Sequence, residues 1–439
     1  MKARLLPCLA ALVVSGATLS PAAPPNIVVL FSDDAGYADF GFQAKADPAL
    51  AKLTPRLTTL AKEGVVFTQA YVSGAVCSPS RAGLFTGRYQ QRFGHETNIP
   101  PGYLKGGLPL GEKFAGDHLR PLGYSTGLIG KWHLGYPDAY QPNQRGFDHF
   151  FGLLQGARSY FPMKKEAPHQ VFLLNGKPTP EGGYTTDRIG DGACDFIRSH
   201  KEKPFFLFVS FTTPHGPLQP KPEDLEKIGA IGNPKRQKYA ALVKSLDDNC
   251  GKILDCLDQE GLAGNTLVVF SNDNGGQTAT GAVNTPLRGA KGQVYEGGIR
   301  VPMAMRWPGT IAPGRTVGTP VITLDWLPTF LEAAGGKPGP DDKLDGLSLL
   351  PLLKDPAATL PARPLFWRSN GPQGPIAIRD GDWKLVHLRG KKAGAKPELY
   401  QLSKDIAEAT DQAAAHPDKV KELQAKLAAW ESTLATPLW

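Results

Sequence analysis

The sequence predicts an α/β fold: an α/β/α sandwich around a central, mostly parallel sheet, followed by a small C-terminal α+β subdomain with a short antiparallel sheet. Three observations carry this. Short, wholly apolar runs recur along the chain, as strands buried on both faces of a parallel sheet require. Helical patterns with readable ends separate them. The texture then changes near residues 354–364, beyond which short strand patterns succeed one another without intervening helices.

At the N-terminus, Lys2 and Arg4, an apolar run from Leu5 to Val14, and small residues with proline up to Pro24 read as a cleaved export signal over residues 1–23, too short to span a bilayer. Cys8 lies inside that apolar run, a poor place for lipidation. The strand-like apolar runs are Ile27 to Phe31, Ser125 to Ile129, Phe205 to Phe211 and Leu267 to Phe270, with a fifth expected from Val301 to Met305. Between the runs, Thr54 can cap a helix that starts at Pro55, turns Leu57, Leu60 and Ala61 inward and closes at Gly64. A longer helix keeps Tyr239, Leu242, Val243, Leu246, Ile253, Leu254 and Leu257 on one side up to Gly261. These belong to a catalytic domain over residues 24–360. The C-terminal subdomain, residues 361–439, is expected to hold strands at Leu365 to Trp367, Ile376 to Arg379 and Trp383 to His387. A final helix carries the stripe Val420, Leu423, Leu427 and Trp430, which is packing.

Composition narrows the function classes. With 439 residues, 41% apolar and 21% charged, the chain is an ordinary folded protein with room for a large domain and a smaller one. The net charge of +8 is spread out, with no dense basic tract interleaved with aromatics, so nucleic-acid binding has no support, whereas an anionic substrate fits. Five cysteines, one of them in the leader, are too few for a disulfide scaffold. Cys194, Cys250 and Cys256 read as buried or incidental, the last two awkwardly spaced for bridging on one helix. No Asn opens an Asn-x-Ser/Thr site, which favours a bacterial exported protein, periplasmic or extracellular, with no stable membrane anchor.

The chemistry lies in the residues just past the end of each apolar run. The first leads into Asp33 and Asp34, the second into Lys131, Trp132 and His133, the third into Pro214 and His215, the fourth into Asp273, Asn274 and Gly275. Parallel sheets bind ligands at the carboxyl ends of their strands, so three acids, an amide, two histidines and a lysine are delivered to one rim. Alone, each has a bland reading as a cap or turn residue. Together, the all-oxygen donors Asp33, Asp34, Asp273 and Asn274 suit calcium or magnesium rather than zinc.

Cys77-Ser78-Pro79-Ser80-Arg81 opens a further helix. A lone cysteine there is ordinarily a buried or redox thiol whose pKa the helix terminus lowers. The pattern, however, resembles the signature of type I, formylglycine-dependent sulfatases of the alkaline-phosphatase-like superfamily, and Leu84-Phe85-Thr86-Gly87-Arg88 is similar to its continuation. Gly130-Lys131-Trp132-His133-Leu134 resembles the second signature. The stretches around His215, Asp273, Lys291 and Glu296-Gly297-Gly298 resemble further blocks in the family's order, covering nearly the whole mature chain. The likeness is to bacterial exported arylsulfatase-type carbohydrate sulfatases.

The resemblance implies an alkaline-phosphatase-like core. One Ca2+ per chain would be held by Asp33, Asp34, Asp273 and Asn274, with Cys77, oxidised to formylglycine, beside it. The hydrated aldehyde would attack sulfur with one hydroxyl and expel sulfate with the other. Arg81 and Lys131 would orient the hydrate, Lys131 and Lys291 would neutralise sulfate, His133 would assist collapse of the hydrate, and His215 would protonate the leaving oxygen. Arg288 is a further substrate-binding candidate. His95, Glu96, Asn98, Arg145, His149, Arg158 and Tyr160 could line a sugar subsite, although structural use is favoured for each. The implied partners are a sulfated saccharide and, during maturation, a formylglycine-generating or anaerobic sulfatase-maturing enzyme. The implied function is removal of sulfate from a sulfated carbohydrate. Rival readings are a phosphonate or phosphodiester hydrolase, which shares the cysteine signature, and a non-catalytic glycan-binding relative, against which the intact nucleophile and acid argue.

Overall fold

The computed structural model describes residues 23–165, 167–390 and 394–439; the expected leader lies outside them apart from Ala23. The strands are β1 (Asn26–Ser32), β2 (Val65–Phe67), β3 (Ala70–Tyr71), β4 (Ser125–Lys131), β5 (His149–Leu153), β6 (Leu173–Leu174), β7 (Lys177–Pro178), β8 (Phe205–Ser210), β9 (Thr266–Asn272), β10 (Met303–Arg306), β11 (Arg315–Val317), β12 (Val321–Ile322), β13 (Leu365–Arg368), β14 (Ile376–Asp380), β15 (Trp383–His387) and β16 (Glu398–Gln401). The helices are α1 (Pro48–Ala51), α2 (Pro55–Lys62), α3 (Cys77–Thr86), α4 (Ala115–Leu119), α5 (Thr185–His200), α6 (Pro222–Ile228), α7 (Pro234–Gln259), α8 (Glu296–Ile299), α9 (Trp326–Ala333), α10 (Leu350–Lys354) and α11 (Pro417–Glu431).

Ten strands form the central sheet in the order β11-β2-β10-β9-β1-β8-β4-β5-β6-β7. Its middle, β9-β1-β8-β4-β5, is parallel throughout. All four apolar runs lie there, and every residue of β1, β8 and β9 is buried. Alternation divides β1 between two cores. Ile27, Val29 and Phe31 face a layer containing α3, α4 and α9, while Val28 and Leu30 face α2, α5 and α7. The fifth run forms β10, which lies antiparallel to β9 with Met303 opposite Ser271. The reason is connectivity: the chain stays at the rim from Asp273 onward and can re-enter the sheet only by running back down beside β9.

The α2 start lies where Thr54 and Pro55 place it, but Thr54 does not cap it; the Thr54 hydroxyl accepts from Gly41 N instead. The buried Asp247 of α7 accepts from Arg56 N (3.0 Å) and Leu57 N (2.9 Å), so a neighbouring helix supplies the cap. Beyond residue 364, β13-β14-β15-β16 form an antiparallel sheet in sequence order, one strand more than expected. Leu423, Leu427 and Trp430 of α11 are buried in one continuous core with that sheet and with the α3 side of the sandwich. Trp367 Nε1 donates to Val72 O at 2.7 Å, and Lys384, fully buried, bridges Glu296 (2.9 Å) and Glu408 (2.8 Å). Among the described residues no helix is long and apolar enough to cross a membrane.

Candidate active site

Strand register brings the rim residues together. Ser32 pairs with Asn272, Phe31 with Ser210, and Gly130 with Ser210, so the segments opening at Asp33, Lys131, Phe211 and Asp273 leave the sheet at one level. The backbone is then bent sharply: Asp34 and His133 both adopt φ near +65°, a left-handed conformation costly for a side chain larger than Gly. Close backbone approach is also built in. A Cβ on Gly275 would lie 1.9 Å from Gly297 O, and Gly275 N donates to Gly298 O at 2.9 Å, pinning the loop after β9 to the turn of α8.

The helix α3 starts at Cys77 without a side-chain cap, and all ten of its residues are buried. Its orphan amide at Ser78 donates to Asn98 Oδ1 (2.9 Å), while Ser78 Oγ donates to His133 O (2.7 Å) and meets His95 Nε2 (2.7 Å). These bonds fix the helix terminus, and hence Cys77, against the loop after β4. Cys77 Sγ lies 3.5 Å from Asp33 Oδ1 and 3.4 Å from Lys291 Nζ. Burial, with the charges of Asp273 and Asp33, pushes this thiol far up despite Lys131 and Lys291. The expectation that the helix terminus would lower it is therefore overturned: desolvation and two carboxylates outweigh the dipole. An unmodified Cys77 would be a neutral thiol and a poor nucleophile.

Around Cys77 stand three acids and three bases. Lys131 Nζ lies 2.5 Å from Asp33 Oδ2, Arg81 3.1 Å from Asp273 Oδ2, and Lys291 2.7 Å from Asp34. Burial would raise Asp33, but Lys131, with His215 and Arg81, holds it below the usual carboxylate range. Asp273 is pushed up by burial and by the charge on Asp33. Burial opposes the charge on Lys291, yet the carboxylates of Asp34, Asp33 and Asp273 drive its pKa well above the ordinary lysine value. All six ions are thus mutually neutralised, leaving no surplus positive charge for an anionic ester.

A divalent cation would restore that surplus, and the donors fit one. Asn274 donates Nδ2 to Asp34 Oδ1 at 2.8 Å, while its own Oδ1 is buried with no partner. Asp33 and Asp34 each place an oxygen within 4.8 Å of Cys77 Sγ and a ring nitrogen of His215. Carboxylate and amide oxygens are hard donors suited to Ca2+ or Mg2+.

The histidines differ in state. His215 Nδ1 lies 2.7 Å from Gly216 O, which can only accept, so Nδ1 carries a proton and Nε2 faces Asp34 Oδ2 at 3.5 Å. It is a quarter exposed. His133 is held well below its ordinary pKa by burial and by Lys131, Arg81, Lys291 and His215, which favours the neutral ring; its Nδ1 has no partner.

Arg288 is not drawn into this cluster. Its guanidinium donates to Tyr400 Oη (2.7 Å) and Glu408 O (2.9 Å) and lies over the Tyr295 ring, tying the loop that carries Lys291 to the C-terminal subdomain. The weaker candidates are engaged structurally. Glu96 pairs with Arg368, Arg145 binds the carbonyls of Leu108, Pro109 and Glu112, Arg158 pairs with Glu181, and the His149 ring packs on Phe196. Tyr160 is closer to the chemistry, since its hydroxyl donates to Thr212 O and His215 O and shapes the His215 loop. Sequence reasoning missed Ser78 and Ser210; the latter accepts from Arg81 at 2.5 Å. Small hydroxyl side chains carry no pattern of their own, and only proximity to Arg81 or His133 reveals them.

Comparisons with known proteins show what the chain is similar to. A family model described as Sulfatase matches residues 25–336, and one described as N-sulphoglucosamine sulphohydrolase, C-terminal, matches residues 290–433. The chain is 30% identical to the uncharacterized sulfatase YdeN of Escherichia coli, over 91% of this chain and 84% of that protein. It is 33% identical to the N-acetylgalactosamine-6-sulfatase of Rattus norvegicus, over 83% of this chain and 71% of that protein. The solved structure of Ps i-CgsB in complex with k-i-k-neocarrahexaose superposes with a TM-score of 0.88 at 34% identity, covering 95% of this chain and 94% of the other.

Proposed function

Since the chain belongs to the sulfatase family and is a sulfatase, we propose that it removes sulfate from a sulfated saccharide by means of a formylglycine made from Cys77 and a calcium ion held by Asp33, Asp34, Asp273 and Asn274. The observation that carries this reading is the buried cluster itself: Cys77 at a helix start, three acids, three bases and the unpartnered Asn274 Oδ1. Relatives named for carbohydrate substrates, the N-acetylgalactosamine-6-sulfatase and the carrageenan-oligosaccharide complex among them, support the saccharide class.

When present, the cation would polarise sulfate oxygens, and the hydrated aldehyde would supply two hydroxyls on one carbon, one to attack sulfur and one to release it. The chain's own groups do the rest. With the acids engaged by the cation, Lys131 and Lys291 are freed to neutralise the ester's oxygens. Arg81, locked by Asp273 and Ser210, orients the nucleophile from the next turn of α3. His133, buried with Nδ1 unpartnered, would assist collapse of the hydrate, and His215, with Nδ1 held by Gly216 O, would donate through Nε2 to the departing sugar oxygen. Because solvent reaches His215, that proton can be replaced after each turnover.

The test is sulfate release from a panel of defined sulfated saccharides, using protein made in a host competent for formylglycine maturation, with Cys77→Ala as control. Release by the matured protein and none by the variant is expected. Equal release by both would refute the nucleophile, and no release from any sulfated saccharide would refute the substrate class.

A further inference from the structure

The bonds that fix the start of α3 are themselves braced from far along the chain. After α11 the backbone runs against the turn at residues 90–94: Ala435 N donates to Gln91 O (3.1 Å) and Leu438 N to Gly94 O (2.9 Å). The approach is so close that a Cβ on Gly94, whose φ is +77°, would lie 2.3 Å from Thr436 O. This run delivers the Trp439 indole to the two residues that hold Ser78. Its ring meets the His95 ring edge-on, with centroids 4.8 Å apart, and its Nε1 donates to Asn98 O at 3.2 Å. Tyr103 packs on the indole from another side, centroids 5.5 Å apart.

The state of His95 shows why the indole matters. His95 is fully buried, and burial pushes its ring down to about 3, so it carries a single ring proton. Ser78 Oγ gives its one hydrogen to His133 O, so His95 Nε2 is the donor to Ser78 Oγ, and Nδ1 is left as the buried atom without a partner. Only the Nε2 bond and packing orient this ring, and Trp439 supplies packing. Asn98 is held in parallel: its Oδ1 accepts from Ser78 N while its backbone carbonyl accepts from Trp439.

We propose that Trp439 is a positioning residue for the nucleophile at position 77, acting through His95 and Asn98 on Ser78. The inference rests on the reaction proposed above. Ser78 is the next residue after the nucleophile, and its hydroxyl ties the start of α3 to the backbone of His133. Freeing the His95 ring and the Asn98 backbone lets that helix start drift against the loop after β4. A shift of a fraction of an ångström there misaligns the attacking group with the sulfur, while the lysines that meet the sulfate stay where they are. Loss of the indole therefore slows the chemical step and leaves substrate binding largely intact.

Trp439→Ala and Trp439→Phe, in the whole chain and matured in the same competent host, are compared with the unaltered protein. Rates on the sulfated saccharide hydrolysed fastest are expressed per formylglycine, counted by mass spectrometry, and hydrogen–deuterium exchange is mapped in parallel. Trp439→Ala should lower kcat about tenfold with KM within about twofold. Peptides covering residues 77–86 and 94–98 should exchange severalfold faster, with those of α7 unchanged. Trp439→Phe, which keeps a ring beside His95, should recover most of the lost kcat. Because both residues act on Ser78, Trp439→Ala should cost less when added to Asn98→Ala than it does alone. A loss confined to KM, which marks a substrate contact, unchanged kcat with unchanged exchange at the start of α3, or exchange raised equally in α7 would each overturn the proposal. Absence of sulfate release from the unaltered protein would refute the reaction instead, and the exchange map would still decide whether Trp439 holds the start of α3.

Discussion

His215 and Asn274 show how single side chains set the chemistry. With Nδ1 tied to Gly216 O, His215 has only Nε2 to offer, beside Asp34 on a side chain that is a quarter exposed. A sugar alkoxide needs a proton to depart, whereas nitrophenolate scarcely does. His215→Ala should therefore lower turnover of a sugar sulfate by about a hundredfold to ten-thousandfold, and that of nitrophenyl sulfate far less. Steady-state rates on the two esters check this; equal losses would remove His215 from the acid role. Asn274 Oδ1 is a buried acceptor without a donor, which a hard cation relieves. Treatment with a calcium chelator should abolish activity, and added Ca2+, not Zn2+, should restore it, with elemental analysis showing about one calcium per chain.

Elements, rather than residues, explain why the rim forms and why part of it is invisible in the sequence. The strands β1, β4, β8 and β9 are legible because each is a continuous apolar run, and the acids, lysine and histidines are legible because they stand directly after those runs. Strands of two or three residues, such as β2, β6 and β11, leave no periodicity to read. Ser78 and Ser210 are not legible as parts of the site because the partners that reveal them, His133 and Arg81, lie 55 and 129 residues away along the chain. Gly275 reads in the sequence as a turn residue, but its role is contact: the loop after β9 must touch the turn of α8. Gly275→Ala should destabilise the fold by about 1–3 kcal/mol, measured by denaturant unfolding, since a methyl there meets backbone. Glu408 joins the C-terminal subdomain to the same turn, accepting from Glu296 N and pairing with Lys384. Burial pushes its carboxyl from an ordinary value of 4.5 up to about 7, although Lys384 pulls the other way. With the folded pKa above the unfolded one, its contribution is complete below pH about 4.5 and is lost as pH rises through about 7. Glu408→Gln should remove that loss, so the Tm of the unaltered protein should fall relative to the variant between about pH 5 and 8; a difference constant with pH would contradict this.

At the scale of the whole molecule, two cores on either side of one sheet hold a charged cluster of three acids and three bases at the sheet's rim. The C-terminal subdomain is tied to the segment before α3 and to α8 through Trp367, Arg379 and Lys384. Such a cluster suits a sulfate ester, a tetrahedral group with one charge fewer than a phosphate monoester can carry. One cation with Lys131 and Lys291 would meet that charge. The decisive measurement is kcat/KM of the matured protein for a sulfate monoester, against the phosphate monoester and phosphodiester built on the same leaving group. A clear preference for the sulfate ester is predicted; faster hydrolysis of either phosphorus ester would contradict a sulfate-specific pocket.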